Sequence, residues 1–279
     1  MKRTIILTII LSVILFTACS DKSTGPNKNQ IPSIYYNGSY YSIEELINTY
    51  NNGNLTGIIM LIKNKRNDMV MNFFDGEWHE MTFDGYETDA YAGMFKQDYS
   101  PLDVVSIVIN ATTLKQYTPG AYKVFDPYSP IDIFFGGNQN KYLIDSVNGF
   151  PSVIDSVSFP DEIVITNLNR YDTVSKSNDF EILWTGGGSN SKIEIDFSKN
   201  FTLLDSITHD NTGIGFRIIL DNSLGYTFPS LFLRNTCELT GKYDLKVTCY
   251  TPVYKTLSNG KQILFIGVSS HRITLNLTN

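Results

Sequence analysis

Between Lys192 and Ser198 the chain reads KIEIDFS, with Ile193, Ile195 and Phe197 alternating with Lys192, Glu194 and Asp196. Successive side chains of a strand point to opposite faces, so this period of two specifies a half-buried β-strand. The same period recurs in DFEILWTGGG (179–188), where Phe180, Ile182 and Trp184 share a face. It recurs again in KYDLKVTCYTPVY (242–254), which aligns Tyr243, Leu245, Val247 and Cys249. DEIVITNL (161–168), GFRIIL (215–220), SLFLRN (230–235) and KQILFIGVSSHRITLNL (261–277) read as further strands. Ser258-Asn259-Gly260 predicts a hairpin between the last two long ones.

In the first half, strands are expected in TGIIMLIKN (56–64), MVMNFF (69–74), EWHEMTF (77–83), DVVSIVINATTL (103–114), PGAYKVF (119–125) and PIDIFF (130–135). Asp75-Gly76 predicts a two-residue hairpin turn. The 17 Tyr and 17 Phe suit pleated, half-buried surfaces. One helix is expected near 43–50. Ser42 and Glu45 form a capping box, Ile43, Leu46, Ile47 and Tyr50 share a face, and Asn51-Asn52-Gly53 ends it. The expected fold class is all-β, with a mainly-β domain carrying one short helix over 34–157 and a sandwich over 158–279.

Six or seven strands in about 120 residues resemble the immunoglobulin-like and fibronectin-III-like β-sandwiches. The resemblance implies that Trp184 is the core tryptophan of an early strand. It also implies that Tyr243, in GKYDLKV, forms a tyrosine corner. Gly120-Ala121-Tyr122 echoes that corner, so the first domain reads as a second sandwich or as a small barrel with one helix.

The first residues carry an address. Lys2 and Arg3 precede twelve residues, Ile5 to Phe16, interrupted only by Thr8 and Ser12. A helix of that length spans roughly 18 Å, short of the roughly 30 Å bilayer core, which indicates a signal peptide rather than a transmembrane helix. Phe16-Thr17-Ala18-Cys19 resembles the lipobox of bacterial lipoproteins, with Phe16 where Leu is usual. The resemblance implies cleavage between Ala18 and Cys19 and acylation of Cys19, palmitate-type chains included. Two or more acyl chains anchor firmly where one does not. Residues 1–18 are then the signal peptide, and 19–33 are a tether rich in Ser, Gly, Pro, Asn and Lys. Ser20, rather than Asp, follows the cysteine. That favours the outer membrane of a bacterial cell envelope as the location and makes the membrane a partner.

The net charge of -6 argues against nucleic acid as a partner. Cys237 and Cys249 remain for a disulfide, which export permits. Tyr243 leads a strand on which Cys249 lies roughly 20 Å further along. The pairing is therefore disfavoured, and Cys249 is expected to be a core residue. His79, His209 and His271 are scattered, and no His-x-x-x-His, Gly-x-Ser-x-Gly or Cys/His cluster is present. No catalytic or metal-binding residue and no cofactor is therefore expected. Gly186-Gly187-Gly188 reads as a flexible connection, and FDGYETDAY (83–91) as a solvated loop. Asp205 to Asn211 offers oxygen ligands without the spacing of a calcium loop. Tyr35, Tyr36, Tyr40 and Tyr41 could stack on sugars or pack on strands. The expected function is a non-enzymatic binding or structural module with a glycan or envelope-protein partner. The rivals are a glycan hydrolase, whose paired carboxylates need no local motif, and a component of a larger envelope assembly.

Overall fold

A computed structural model describes residues 54–96, 100–124, 131–145, 150–200, 215–221, 223–237 and 239–279, and there the chain is all-β. The expected helix at 43–50, Ala18 and Cys19, the tether, the tyrosines at 35–41 and the 205–211 run lie outside those residues.

The two longest pairings organise everything else. β1 (Leu55–Phe74) and β2 (Glu77–Met94) form the expected hairpin on Asp75-Gly76, whose φ angles of 55° and 81° suit a tight turn. β14 (Gly241–Thr256) and β15 (Gln262–Thr278) form the hairpin expected from Asn259-Gly260. β1 then lies parallel to β15, Gly57 beside Ile263 through Asn67 beside Ile273.

Beyond β2 the sheet continues through β5 (Ala121–Lys123), β4 (Thr112–Thr118), β3 (Ile107–Ile109), β6 (Gln139–Ile144) and β7 (Val153–Ser158). It curls until Asp155 on β7 meets Lys255 Nζ on β14 at 3.2 Å. Ile59, Leu61, Ile107, Tyr142, Ile144 and Phe265 fill the curl, with the Tyr142 and Phe265 rings 4.6 Å apart. The first region is thus barrel-like. Tyr122 does bond to upstream backbone, but its hydroxyl meets Val104 N and O (2.7 and 3.0 Å), eighteen residues back.

On the other side of β15 the sheet runs through β14, β11 (Lys192–Lys199) and β12 (Gly215–Asp221). β9 (Thr173–Ser175) adds in parallel to the end of β15. A separate sheet of β13 (Gly225–Phe228), β10 (Phe180–Thr185) and β8 (Val164–Ile165) completes a sandwich. Trp184, Phe197, Phe228, Leu245, Val247 and Leu275 are buried between the layers. Trp184 Nε1 donates to Ser223 O at 2.8 Å. Tyr243 Oη donates to Leu239 O at 3.0 Å, the bond of a tyrosine corner. Replacing Tyr243 by Phe keeps the ring on Phe197, 5.0 Å away, and removes the hydroxyl with its bonds to Leu239 and to the Cys237 thiol. Urea unfolding should show a loss of about 1 kcal/mol, and an unchanged midpoint would mean the corner contributes nothing.

Several local expectations are corrected. Residues 56–64 and 69–74 are one strand, because the polar run between them pairs with β2 and then with β15. FDGYETDAY is no loop but the middle of β2, paired residue by residue with β1. DVVSIVINATTL is two strands, turned at Asn110 and Ala111 (φ 45° and 71°). PIDIFF keeps its alternation, with Ile131, Ile133 and Phe135 buried, but makes no ladder. SLFLRN belongs to a helix, α1 (Ser230–Thr236), entered from Pro229, with Leu233 and Thr236 buried at helical spacing.

Residues 159–165, which link the two regions, are held from two sides. The inward face of β15 presents Gly267, Ser269 and His271 in a row. A Cβ on Gly267 would lie 2.4 Å from the Phe159 ring, Ser269 Oγ accepts Ile163 N–H (2.8 Å), and His271 Nδ1 accepts Ile165 N–H (2.9 Å). The expected flexible triplet supplies the other side. Gly187 N donates to Asp161 O (2.9 Å), and a Cβ on Gly186 would lie 2.0 Å from Glu162 O. These glycines are a cradle for the passing backbone, which only hydrogen side chains permit.

Candidate functional site

The even-numbered side chains of β2 from Glu80 to Tyr86 line a surface belt where the β1–β2 hairpin passes the sandwich. Asp84 Oδ1 receives Arg170 Nη1 (2.9 Å) and Asn67 Nδ2 (2.8 Å). Those two hydrogen bonds hold the Asp84 carboxyl below the usual carboxylate range. Tyr86 Oη donates to Glu162 (3.1 Å), and Lys63 Nζ sits both 3.2 Å from Glu162 and 4.6 Å from the Tyr86 ring centre. Burial and the Glu162 charge push the Tyr86 phenol up, so it stays a donor at neutral pH. Further along, Arg170 and Lys242 approach the Tyr171 ring at 5.6 and 5.8 Å, and Lys242 also pairs with Glu80 (2.7 Å). Tyr86 is 47% exposed and Tyr171 37%. Exposed rings beside carboxylates and cations can stack on and hydrogen-bond a polar ligand.

Behind the belt sits a buried relay. Asn67 uses its amide N–H on Asp84 and its oxygen on His271 Nε2 (2.8 Å). Because His271 Nδ1 accepts the Ile165 N–H, the ring proton belongs on Nε2, which then donates to Asn67 Oδ1. Burial, aided by the positive charge of Lys65, lowers the His271 pKa to about 4.

The opposite face of the central sheet carries a second polar cluster. Asp68 follows Asn67, whose partner on β15 is Ile273, and the next β15 residue, Thr274, pairs with Asp244 on β14, so the backbones that carry the two carboxylates are two strand spacings apart, roughly 10 Å. Paired carboxylates are the machinery of glycoside hydrolysis. The surroundings of these two differ from a reaction site. Asp68 is fully buried and takes a two-pronged contact from Arg66 (2.9 and 2.6 Å), with Arg272 at 3.6 Å. Arg66 also reaches Glu87. Asp244 accepts Thr274 Oγ1 (2.7 Å) and two contacts from Asn200 Nδ2 (3.0 Å each). Burial raises its pKa against those donors. The oxygens are occupied by the protein itself, as in a strut between strands.

Cys237 and Cys249 are free and buried, and Cys249 lies on the core face as expected. Desolvation raises both thiols, Cys237 to about 12, so neither is a nucleophile at neutral pH. Among the described residues no group of three or more His, Cys, Asp or Glu could hold a metal, and no helix is long and apolar enough to cross a membrane.

Sequence reading singled out Asp84, Glu87 and Asp89 but assigned them to a loop. The strand separates them: Asp84 joins the belt, and Glu87 reaches Arg66 on the other face. Asp68 and Asp244 carry no such signal, and His271 reads only as one of three scattered histidines. The charged run KNKRND inside one long strand is the only hint of Asp68. No protein-family model matches the chain, and no curated protein matches it in sequence.

Proposed function

We propose that this chain is a lipid-anchored, exported bacterial envelope protein that binds a polar ligand, a glycan or a neighbouring envelope protein, without transforming it. The lipobox-like Phe16-Thr17-Ala18-Cys19 supports the anchor, and residues 19–33 support a tether. The observation that carries the binding reading is the belt, with two exposed tyrosines set among Glu80, Asp84, Glu162, Lys63, Arg170 and Lys242. Asp68 is sealed from solvent and held by Arg66 and Arg272, so the Asp68–Asp244 pair lends the rival hydrolase no support.

Two experiments test this. Cys19→Ala should move the protein out of the membrane fraction; retention there would refute the anchor. Glycan-array and envelope pull-down binding should be lost when Tyr86 and Tyr171 are both replaced by Ala. Unchanged binding by that variant would remove the belt as the site.

A further inference from the structure

Three cations on the belt face are neutralised within the protein. Lys63 pairs with Glu162, Arg170 with Asp84 and Lys242 with Glu80. A fourth, Lys65, meets no carboxylate among the described residues. The ladders place it. Tyr86 lies opposite Lys65 on β2 and His271 beside it on β15, so all three side chains point to one face. Lys63 and Asn67 are its neighbours along β1 on that face. Glu162 reaches the sheet on the Lys63 side, and Arg170 on the Asn67 side, where both Arg170 and Asn67 bond Asp84. Lys65 therefore forms the floor of a gap between Glu162 and Arg170, beside the Tyr86 ring. It is half-buried, and its charge is felt at His271. The nearest carboxylates are committed elsewhere. Glu162 uses its two oxygens on Lys63 Nζ and Tyr86 Oη, and Asp84 Oδ1 takes Arg170 and Asn67. A partly desolvated cation with no counter-charge favours an anion that enters from solvent.

We propose that the belt takes a glycan built of uronic-acid units, with a sugar carboxylate on Lys65 and the sugar ring against Tyr86. This names the ligand class of the binding site argued above and rests on that reading. The groups around Lys65 select a sugar acid over other anions. Tyr86 is exposed, and a tyrosine ring offers its face to the C–H groups of a sugar. Glu162 and Asp84, on either side of Lys65, are acceptors only when ionised, so they suit hydroxyl donors. A uronic acid carries one carboxylate and several hydroxyls on one rigid ring, which matches the cation, the aromatic face and the acceptors together. An acidic peptide brings carboxylates without hydroxyl donors and sets them against Glu162 and Asp84. A phosphate ion would meet Lys65 and leave the tyrosine ring bare.

The test is binding of the full chain to an array of galacturonate, glucuronate, mannuronate and guluronate oligosaccharides, each beside its methyl ester, with oligoglutamate as a peptide acid. The ester keeps the ring and its hydroxyls and removes the charge. At least one acid should bind about tenfold more tightly than its ester, the worth of a charge-assisted hydrogen bond. Lys65→Gln should bring that acid to the level of its ester, and Lys65→Arg should keep the preference. Added salt should shrink the preference in the unaltered chain, a measurement that needs no variant to fold. Equal binding of acid and ester by the unaltered chain overturns the inference. So does a preference that survives Lys65→Gln, or tighter binding to oligoglutamate than to any uronate. If acids and esters bind equally and both are lost when Tyr86 and Tyr171 are replaced by Ala, the belt stands and only the acid preference falls. If no sugar binds, the sugar acid is overturned, and the binding reading falls with it unless the belt retains an envelope protein.

Discussion

Acidification from pH 7 to pH 5 should destabilise the protein by roughly 2 kcal/mol through His271 alone, reaching roughly 3 kcal/mol by pH 4. His271 is 4% exposed, and burial lowers its pKa from 6.5 to about 4. Above pH 6.5 the imidazole is neutral in both folded and unfolded chains, so the full stability is present. As the pH falls, the unfolded chain takes up a proton that the folded chain resists until about pH 4. Stability is therefore lost across that window. Protonation at Nδ1 would set two donors against each other at Ile165 N–H. Asp244 and Asp89 act in the opposite sense, since burial raises their pKa and the folded state gains as they protonate, so the His271→Gln comparison isolates the histidine's share. Urea midpoints at pH 7, 6 and 5 measure the loss. His271→Gln should be weaker at pH 7 and flatter below it. A wild-type midpoint that does not move between pH 7 and 5, or a variant with the same slope, would refute the assignment.

Gly186→Ala should cost at least about 3 kcal/mol, from left-handed backbone strain together with a backbone collision. The φ of Gly186 is 93°, and the added carbon would lie 2.0 Å from Glu162 O and 2.5 Å from its carbonyl carbon. Neither partner is a flexible side chain that could step aside, so the strand-to-linker contact must open. Gly137→Ala is the control. Its φ is 77° and nothing lies within 4 Å of the new carbon. That substitution should cost only the strain, about 1–2 kcal/mol. Equal losses for the two in chemical unfolding would show that the close approach carries no energy.

Strand identity was largely legible because period-two alternation is a local property. Lys192–Lys199 became β11 with its apolar side chains inward, and the two long hairpins turn where Asp-Gly and Asn-Gly place them. The tyrosine corner was legible through the resemblance of GKYDLKV to sandwich families and not from Gly-x-Tyr alone, since the same triplet at 120–122 bonds to Val104 instead. Where a segment is read as a loop because it is polar, alternation cannot help. FDGYETDAY is a strand because β1 offers it a complete ladder, and its charges meet Arg170 and Arg66 from distant segments. SLFLRN failed for the opposite reason: short apolar runs do not distinguish a strand from a helical turn, and Pro229 decided the matter.

The candidate site was less legible, since its parts lie far apart in sequence. Glu80, Asp84 and Tyr86 meet Arg170 and Lys242 only after β1 pairs in parallel with β15. His271 looked like an isolated histidine, and its role follows from Asn67 and Ile165, which no spacing in the sequence relates to it.

The sequence by itself determined that this chain is built of strands, where its tightest turns fall and which residues form the sandwich core, because these follow from side-chain alternation and local backbone geometry. Only the tertiary structure decided that one long hairpin serves both cores, that three glycines grip the linker, and that charged strand residues form a belt on one face and a sealed strut on the other. Those outcomes depend on which strands become neighbours and in what register, and a one-residue shift of register would turn every one of those side chains to the opposite face.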